Sequence, residues 1–295
     1  MARNYGERLT YLKKHLNTVP DKPEETPEST LKALWMLAAG SSRSAERALT
    51  ATLPELDSEQ HNLLDTLIQS RLDGVPLGHI TGRQMFMGLE LTVSPDALLP
   101  RRETEILARG VATIVAELVG DQGSALAVDT CCGSGNVALA LAHREPALRV
   151  IGVDLSEVAV ELAELNAHSL GLDDRIEFRA GDLLTPVLDL AGQVDLITCN
   201  PPYISTANVS AMTDEIAEHE PQMAFDGGPF GIRILNRLVK EAPSVLRPHG
   251  LVAFEVGLGQ GEPMLARLHK LGFYASIEPF HDASGAVRAI VAKLA

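Results

Sequence analysis

Asn200-Pro201-Pro202-Tyr203 is the stretch whose residue types point most directly to chemistry. It follows Val194-Asp195-Leu196-Ile197-Thr198-Cys199, an apolar run that predicts a buried strand. Two successive prolines lack N–H donors and fix φ, so the sheet stops and a stiff loop begins. In open α/β sheets ligands bind at that carboxyl edge. The loop offers backbone carbonyls and the Asn side-chain carbonyl as acceptors. Acceptors on a rigid turn suit a planar NH2 group, whose two N–H bonds need two partners. The same residues would also serve as a plain strand-ending turn, and what separates these readings lies upstream.

Upstream stands Asp129-Thr130-Cys131-Cys132-Gly133-Ser134-Gly135, between a strand and its following helix. Glycines there let backbone approach a ligand, and the helix start supplies free N–H groups. Asp154 ends the next strand, where a carboxylate accepts from both hydroxyls of a ribose. Asp182, in Gly181-Asp182-Leu183, ends the third, in reach of an adenine amino group. Each aspartate alone is better read as a helix cap; as a row with Asn200 they predict a nucleoside ligand. The G-x-G-x-x-G phosphate pattern is incomplete, and Asp129 beside the loop repels a pyrophosphate. S-adenosylmethionine, with adenosine, a sulfonium and an amino-acid tail, fits the three acids better than NAD.

The elements that must hold these residues alternate from residue 106 onward. The pattern predicts strands at 125–129, 149–154, 175–179, 194–199 and 251–256. Helices are expected at 136–143, 156–170, 232–246 and 261–271, with a closing hairpin of 273–278 and 287–292. Such alternation predicts an α/β fold, a mainly parallel sheet with helices on both faces. Residues 76–105 are punctuated by Pro76, Gly78, Gly82 and Gly88. There Leu89, Leu91 and Val93 alternate with polar residues, so a β-hairpin linker is expected before a helix beginning near Thr104. Residues 1–75 predict a small helical domain. Leu9, Leu12 and Leu16 share one face; a polar loop with Pro20, Pro23 and Pro27 follows. Leu31, Leu34, Trp35 and Ala38 share another, and Asp57-Ser58-Glu59-Gln60 resembles a capping box before Leu63, Leu64, Leu67, Ile68 and Leu72.

Hydrophobic residues make up 45% of the 295, enough for a sizeable core. A net charge of −14 argues against strong unaided binding to a phosphate backbone. Three cysteines, Cys131 and Cys132 adjacent, make neither a disulfide framework nor zinc spacing. The start, from Met1, Ala2 and Arg3, has no apolar signal core, and no run reaches membrane-spanning length. A reducing cytoplasm, with no membrane and no metal, is the expected setting.

Taken together the motifs resemble the HemK family of protein-glutamine methyltransferases. The resemblance rests on Gly78-His79-Ile80-Thr81-Gly82, Leu99-Pro100-Arg101-Arg102-Glu103-Thr104-Glu105 and the loop from Asp129 to Gly135. Asn200 to Tyr203, Glu220-Pro221, Ala224-Phe225-Asp226-Gly227-Gly228 and Glu255-Val256-Gly257 complete it. It implies a class I (Rossmann-like) S-adenosylmethionine methyltransferase domain at 106–295, after a substrate-recognition domain at 1–75 and the linker at 76–105. It implies that the cofactor lies over Cys131, Cys132, Gly133, Ser134, Gly135, Asp154, Asp182 and Leu183. It implies as substrate the Gln of a Gly-Gly-Gln motif in a peptide chain release factor, with a sister branch that modifies a ribosomal protein. Arg102 stands where the family usually has Pro, and Cys131 where many members have Gly.

On this reading Asn200 Oδ1 and the Pro201 carbonyl accept the two N–H bonds of the substrate amide. Pro202 stiffens the corner, Tyr203 packs on the amide plane, and Phe86 of the hairpin covers its other face. Three rival functions use the same features. Adenine amino-group methyltransferases present the same tetrapeptide to a flipped base, a small-molecule methyltransferase would fit the divergent N-terminus, and a non-catalytic module would bind the cofactor alone.

Overall fold

The computed structural model describes residues 4–18, 22–209 and 219–295. Met1, Ala2, Arg3 and Pro20 lie outside the described residues. The chain divides into two compact units, the first ending at Pro95 and including Glu220, the second starting at Asp96 and resuming at Pro221.

The first unit holds α1 (Tyr5–His15), α2 (Pro27–Ala38), α3 (Ala45–Leu49), α4 (Ser58–Leu72) and α5 (Leu77–Thr81). Its core collects Leu12, Leu31, Leu34, Trp35, Leu64 and Ile68, the residues whose helical spacing the sequence displays. The capping box forms: Asp57 Oδ1 accepts from Gln60 N at 2.8 Å, and Gln60 Oε1 from Asp57 N at 3.0 Å. Leu63 departs from expectation. It is 45% exposed, because the buried stripe of α4 runs through Leu64, Ile68 and Arg71, leaving Leu63 off its edge. The hairpin pairs β1 (Arg83–Phe86) with β2 (Leu89–Thr92). Its two-residue turn puts Met87 at φ 50° and Gly88 at φ 85°, matching the twist of the strands.

The second unit starts with α6 (Thr104–Gln122) and builds a seven-stranded sheet from β3 (Ala125–Thr130), β4 (Leu148–Asp154), β5 (Ile176–Ala180), β6 (Val194–Cys199), β7 (Leu246–Glu255), β8 (Tyr274–His281) and β9 (Val287–Leu294). The order is β5-β4-β3-β6-β7-β9-β8. The first five strands in chain order run parallel, and β9 and β8 close the edge antiparallel. Helices α7 (Asn136–Arg144) and α8 (Glu157–Leu170) are the crossovers after β3 and β4. Strands β4 and β5 extend to one side of β3, and β6 and β7 to the other, so the order reverses there. That reversal opens a crevice over the carboxyl ends of β3 and β6. Val128, Ile151, Ile197, Leu238 and Phe254 pack the core.

One expected helix is shorter than its periodicity implies. The α-helix Arg233–Glu241 gives way to a 3-10 turn, Ala242–Ser244, and Leu246 already belongs to β7. Pro243 has no N–H to continue the helical ladder. The first part of β7 is irregular: its pairing with β6 shifts between Val194 and Leu196, and His249 adopts φ 63°. Among the described residues no helix is long and apolar enough to cross a membrane.

Candidate active site

Asp129 lies on β3, 1% exposed, with both oxygens engaged. Oδ1 accepts from the Thr198 hydroxyl at 2.6 Å, and Oδ2 from Ala138 N at 3.1 Å. The carboxylate thus ties β3 to β6 and caps the first turn of α7, where the helix dipole favours an acceptor. Burial is the dominant influence on its acidity. It outweighs both hydrogen bonds and pushes the pKa up to about 7.

The loop after β3 turns through left-handed conformations at Cys131 (φ 57°), Gly133 (φ 53°) and Gly135 (φ 81°). A Cβ on Gly135 would come within 3.1 Å of Ala163, Leu139 and Phe178, at a φ that side chains rarely adopt, so the position favours glycine. A Cβ on Gly133 would meet nothing within 4 Å; its face is open. Gly133 N donates to Asp154 Oδ2 at 2.9 Å, and Asp154 Oδ1 accepts from Ser156 N at 3.0 Å. Burial raises the Asp154 pKa against these bonds. Ser134 is buried, and its carbonyl accepts from Asn166 Nδ2 at 3.1 Å, fixing the loop to α8. Asp182 is half exposed and held by Arg237 through two 3.0 Å hydrogen bonds. Leu183 beside it is buried at φ 48°.

Asn200 follows β6 directly. Its Nδ2 donates to Thr104 Oγ1 at 2.9 Å, while Oδ1 has no protein partner among the described residues. Pro201 is buried, and Pro202 and Tyr203 are partly exposed. The chain beyond is pinned on both sides. Gln260 Nε2 donates to the Tyr203 carbonyl at 2.8 Å, Ile204 N to Phe225 O at 2.9 Å, and Gly227 N to Ile204 O at 2.8 Å. Asp226 Oδ1 accepts from Thr206 Oγ1 at 2.7 Å and Gly228 N at 2.9 Å. The acceptors of the corner are therefore preorganised.

Behind the corner lie residues to which sequence reading assigned no role. Glu255, at the end of β7, is 1% exposed. Burial pushes its pKa up to about 7, opposed by the Thr104 hydroxyl, the Arg288 guanidinium and the Tyr203 hydroxyl. Arg288 Nη2 stands 3.9 Å from Oε1. The signal was present: Glu255 is a carboxylate inside the apolar run Leu251-Val252-Ala253-Phe254 and Val256. Arg102 is exposed, at the surface before α6.

A cleft with about 1250 Å3 of empty space, its open mouth included, gathers Asp129, Cys131, Cys132, Gly133, Asp154, Asp182, Leu183, Asn200 and Pro202. The segment from Asp96 to Arg101 forms another wall, with Ala97 packed on Ala159 and Leu162 of α8. Ser134, Gly135, Pro201 and Tyr203 are not among the residues that line it. Phe86 belongs to the first unit, where it is 1% exposed on β1. The donor set fits S-adenosylmethionine: an open glycine face, a partly buried Asp154 at the end of β4, and further carboxylates suited to a cationic ligand. Fold and site together define a class I S-adenosylmethionine-dependent methyltransferase.

The comparisons agree. Residues 127–219 match the family model described as a methyltransferase domain. The catalytic domain of hMettl16, solved with the MAT2A 3′UTR hairpin 6, superposes with a TM-score of 0.55 at 14% identity, over 82% of this chain and 83% of that one. At that identity the likeness concerns the fold. The release factor glutamine methyltransferase of Moorella thermoacetica is 35% identical over 89% of this chain and 90% of its own. That of Bacillus anthracis is 33% identical over 81% and 84%. The chain belongs to the release factor glutamine methyltransferase family, as its resemblance to HemK proteins implied.

Proposed function

We propose that this protein methylates the side-chain amide nitrogen of the glutamine in a Gly-Gly-Gln motif of a peptide chain release factor, in the cytoplasm. The observation that carries this reading is the orientation of Asn200. Its Nδ2 is tied to Thr104, which leaves Oδ1 as an acceptor on a cleft-lining residue, one position before the Pro201 carbonyl in the chain. Two acceptors on a fixed corner match the two N–H bonds of a primary amide.

An amide nitrogen is a poor nucleophile because its lone pair is delocalised into the carbonyl. Bound S-adenosylmethionine supplies an electrophilic methyl group on a sulfonium. Asn200 Oδ1 and the Pro201 carbonyl hold the amide with its nitrogen facing that methyl. In the best cases such positioning contributes about 7–11 kcal/mol. The same dipoles stabilise positive charge as it develops on nitrogen. Asp154 and the Gly133 backbone hold the cofactor end. The alkylated nitrogen loses its proton to water, so the site needs no general base.

The test is transfer of labelled methyl from S-adenosylmethionine to purified release factor, followed by mass measurement of the Gly-Gly-Gln peptide. One added methyl on that glutamine is expected. Label in nucleic acid alone would favour an adenine amino group as substrate and overturn this reading.

A further inference from the structure

Two motifs remain without a role in the transfer chemistry: the start of α6 around Thr104 and the carboxyl end of β7 at Glu255. They meet behind the acceptor corner. Thr104 is 1% exposed, and its Oγ1 accepts the Asn200 Nδ2 proton at 2.9 Å. A hydroxyl that accepts from one partner has its own proton to donate elsewhere. The buried carboxylate facing it is Glu255, which also faces the Tyr203 hydroxyl. Neither Glu255 oxygen is held by a hydrogen bond of standard geometry, so the carboxylate retains acceptor capacity for both hydroxyls. Arg288 approaches Oε1 only to 3.9 Å, a long ion pair that leaves the carboxylate room to accept from the hydroxyls.

The polarity of this chain matters because the two ends of an asparagine amide are nearly the same size. Turned over, Asn200 would face the substrate amide with an N–H donor, and donor would meet donor. We propose that Thr104 and Glu255 are positioning residues that set the direction of the hydrogen-bond chain, from Asn200 to Thr104 to Glu255, and so keep Oδ1 toward the substrate. An ionised Glu255 only accepts, and this fixes the Thr104 proton toward it. A protonated Glu255 donates as well, and Thr104 is then free to donate to Asn200. The orientation of the acceptor corner is thereby coupled to one buried proton. The groups facing that proton are Thr104 and Glu103 at the start of α6, Tyr203 beyond β6, and Arg288 on β9. Arg288 favours the ionised form and Glu103 opposes it.

This inference rests on Asn200 acting as an acceptor, and the experiment separates the two ideas. Thr104→Val, Thr104→Ser, Glu255→Gln and Asn200→Ala are made in the full chain. Each is assayed for kcat and KM with release factor, for S-adenosylmethionine affinity, and for kcat against pH. Thr104→Val removes the acceptor and is expected to lower kcat about tenfold to a hundredfold, with cofactor affinity kept within about twofold. Thr104→Ser keeps the hydroxyl and restores kcat to within about threefold of the parent. The parent loses kcat on acidification through about pH 7, where Glu255 takes up its proton. Glu255→Gln still accepts through its amide oxygen but does not titrate, so that acid limb disappears. Should Thr104→Val fail to fold, the Glu255→Gln profile decides alone: an acid limb unchanged from the parent overturns the proposal. Parental kcat in Thr104→Val with an inactive Asn200→Ala overturns only the positioning chain. Full activity in Asn200→Ala overturns the acceptor assignment itself.

Discussion

Arg237 grips Asp182 with two parallel hydrogen bonds, Nη1 to Oδ1 and Nη2 to Oδ2, each 3.0 Å long. The aspartate two residues beyond β5 is thus held in one rotamer by the helix Arg233–Glu241, which the chain reaches only after the acceptor corner. Both partners are well exposed, at 39% and 50%, so the pair contributes less than about 1 kcal/mol to stability. Its consequence lies in preorganising Asp182 for a ligand. Arg237→Met is expected to leave the unfolding midpoint nearly unchanged and to raise the Kd for S-adenosylmethionine by about twofold to fivefold. Calorimetric titration measures this directly, and an unchanged Kd would place Asp182 outside the cofactor's contacts.

Cys131 occupies a left-handed position, φ 57°. The residue carries a Cβ where the backbone disfavours one, at a cost of about 1–2 kcal/mol. A β-branched side chain would add steric conflict at the same φ. Cys131→Val is therefore expected to destabilise the protein by about 2 kcal/mol. Cys131→Gly should stay within about 1 kcal/mol of the parent, since relief of strain offsets lost packing and added chain entropy. Urea unfolding of the two variants side by side checks the ordering; equal stability would show that the loop tolerates branching at this position.

Sequence reveals most where burial is continuous or where one residue type has one purpose. Strand β6 was legible from end to end because Val194 to Cys199 is buried along its whole length. Asp129, Asp154 and Asn200 were legible because alternating strands and helices place strand ends in one row. The helix from 232 was read too long because Leu246 continues the apolar spacing past Pro243, and spacing alone does not register a missing N–H. Thr104 resembled an ordinary helix start, and Arg288 an ordinary strand residue. Thr104 meets Asn200 across a separation of 96 positions, and Arg288 reaches Glu255 through the final hairpin; no local pattern encodes either contact.

Asp129 gives the fold a pH dependence with a defined sign. Its folded pKa is about 7, raised chiefly by burial from the ordinary aspartate value of about 3.9. Between those values the unfolded chain has released a proton that the folded chain retains. Stability from this group is therefore full below about pH 4 and is lost as pH rises through about 7. At about 1.4 kcal/mol per unit, the loss is on the order of 4 kcal/mol. Asp129→Asn has no such proton and should lose less stability than the parent between pH 5 and pH 8, a window of about three units. Urea midpoints of the cofactor-free proteins across that range test this; parallel curves would show that Asp129 does not titrate there.

Gly231 supports the acceptor corner through lack of a side chain. A Cβ there would lie 2.1 Å from the Tyr203 carbonyl oxygen, and neither backbone can yield without moving the loop that carries Asn200 and Pro201. Its φ of +68° also disfavours any side chain. Gly231→Ala is expected to cut kcat at least about tenfold while the Kd for S-adenosylmethionine changes less than about twofold. Gly259→Ala is the matched control. It carries a comparable φ of +80°, but its added Cβ would meet nothing within 4 Å. That variant should lose about 1 kcal/mol of stability with kcat near the parent's. Equal losses of kcat in both would trace the effect to backbone strain in general, whereas loss in Gly231→Ala alone ties turnover to the position of the corner.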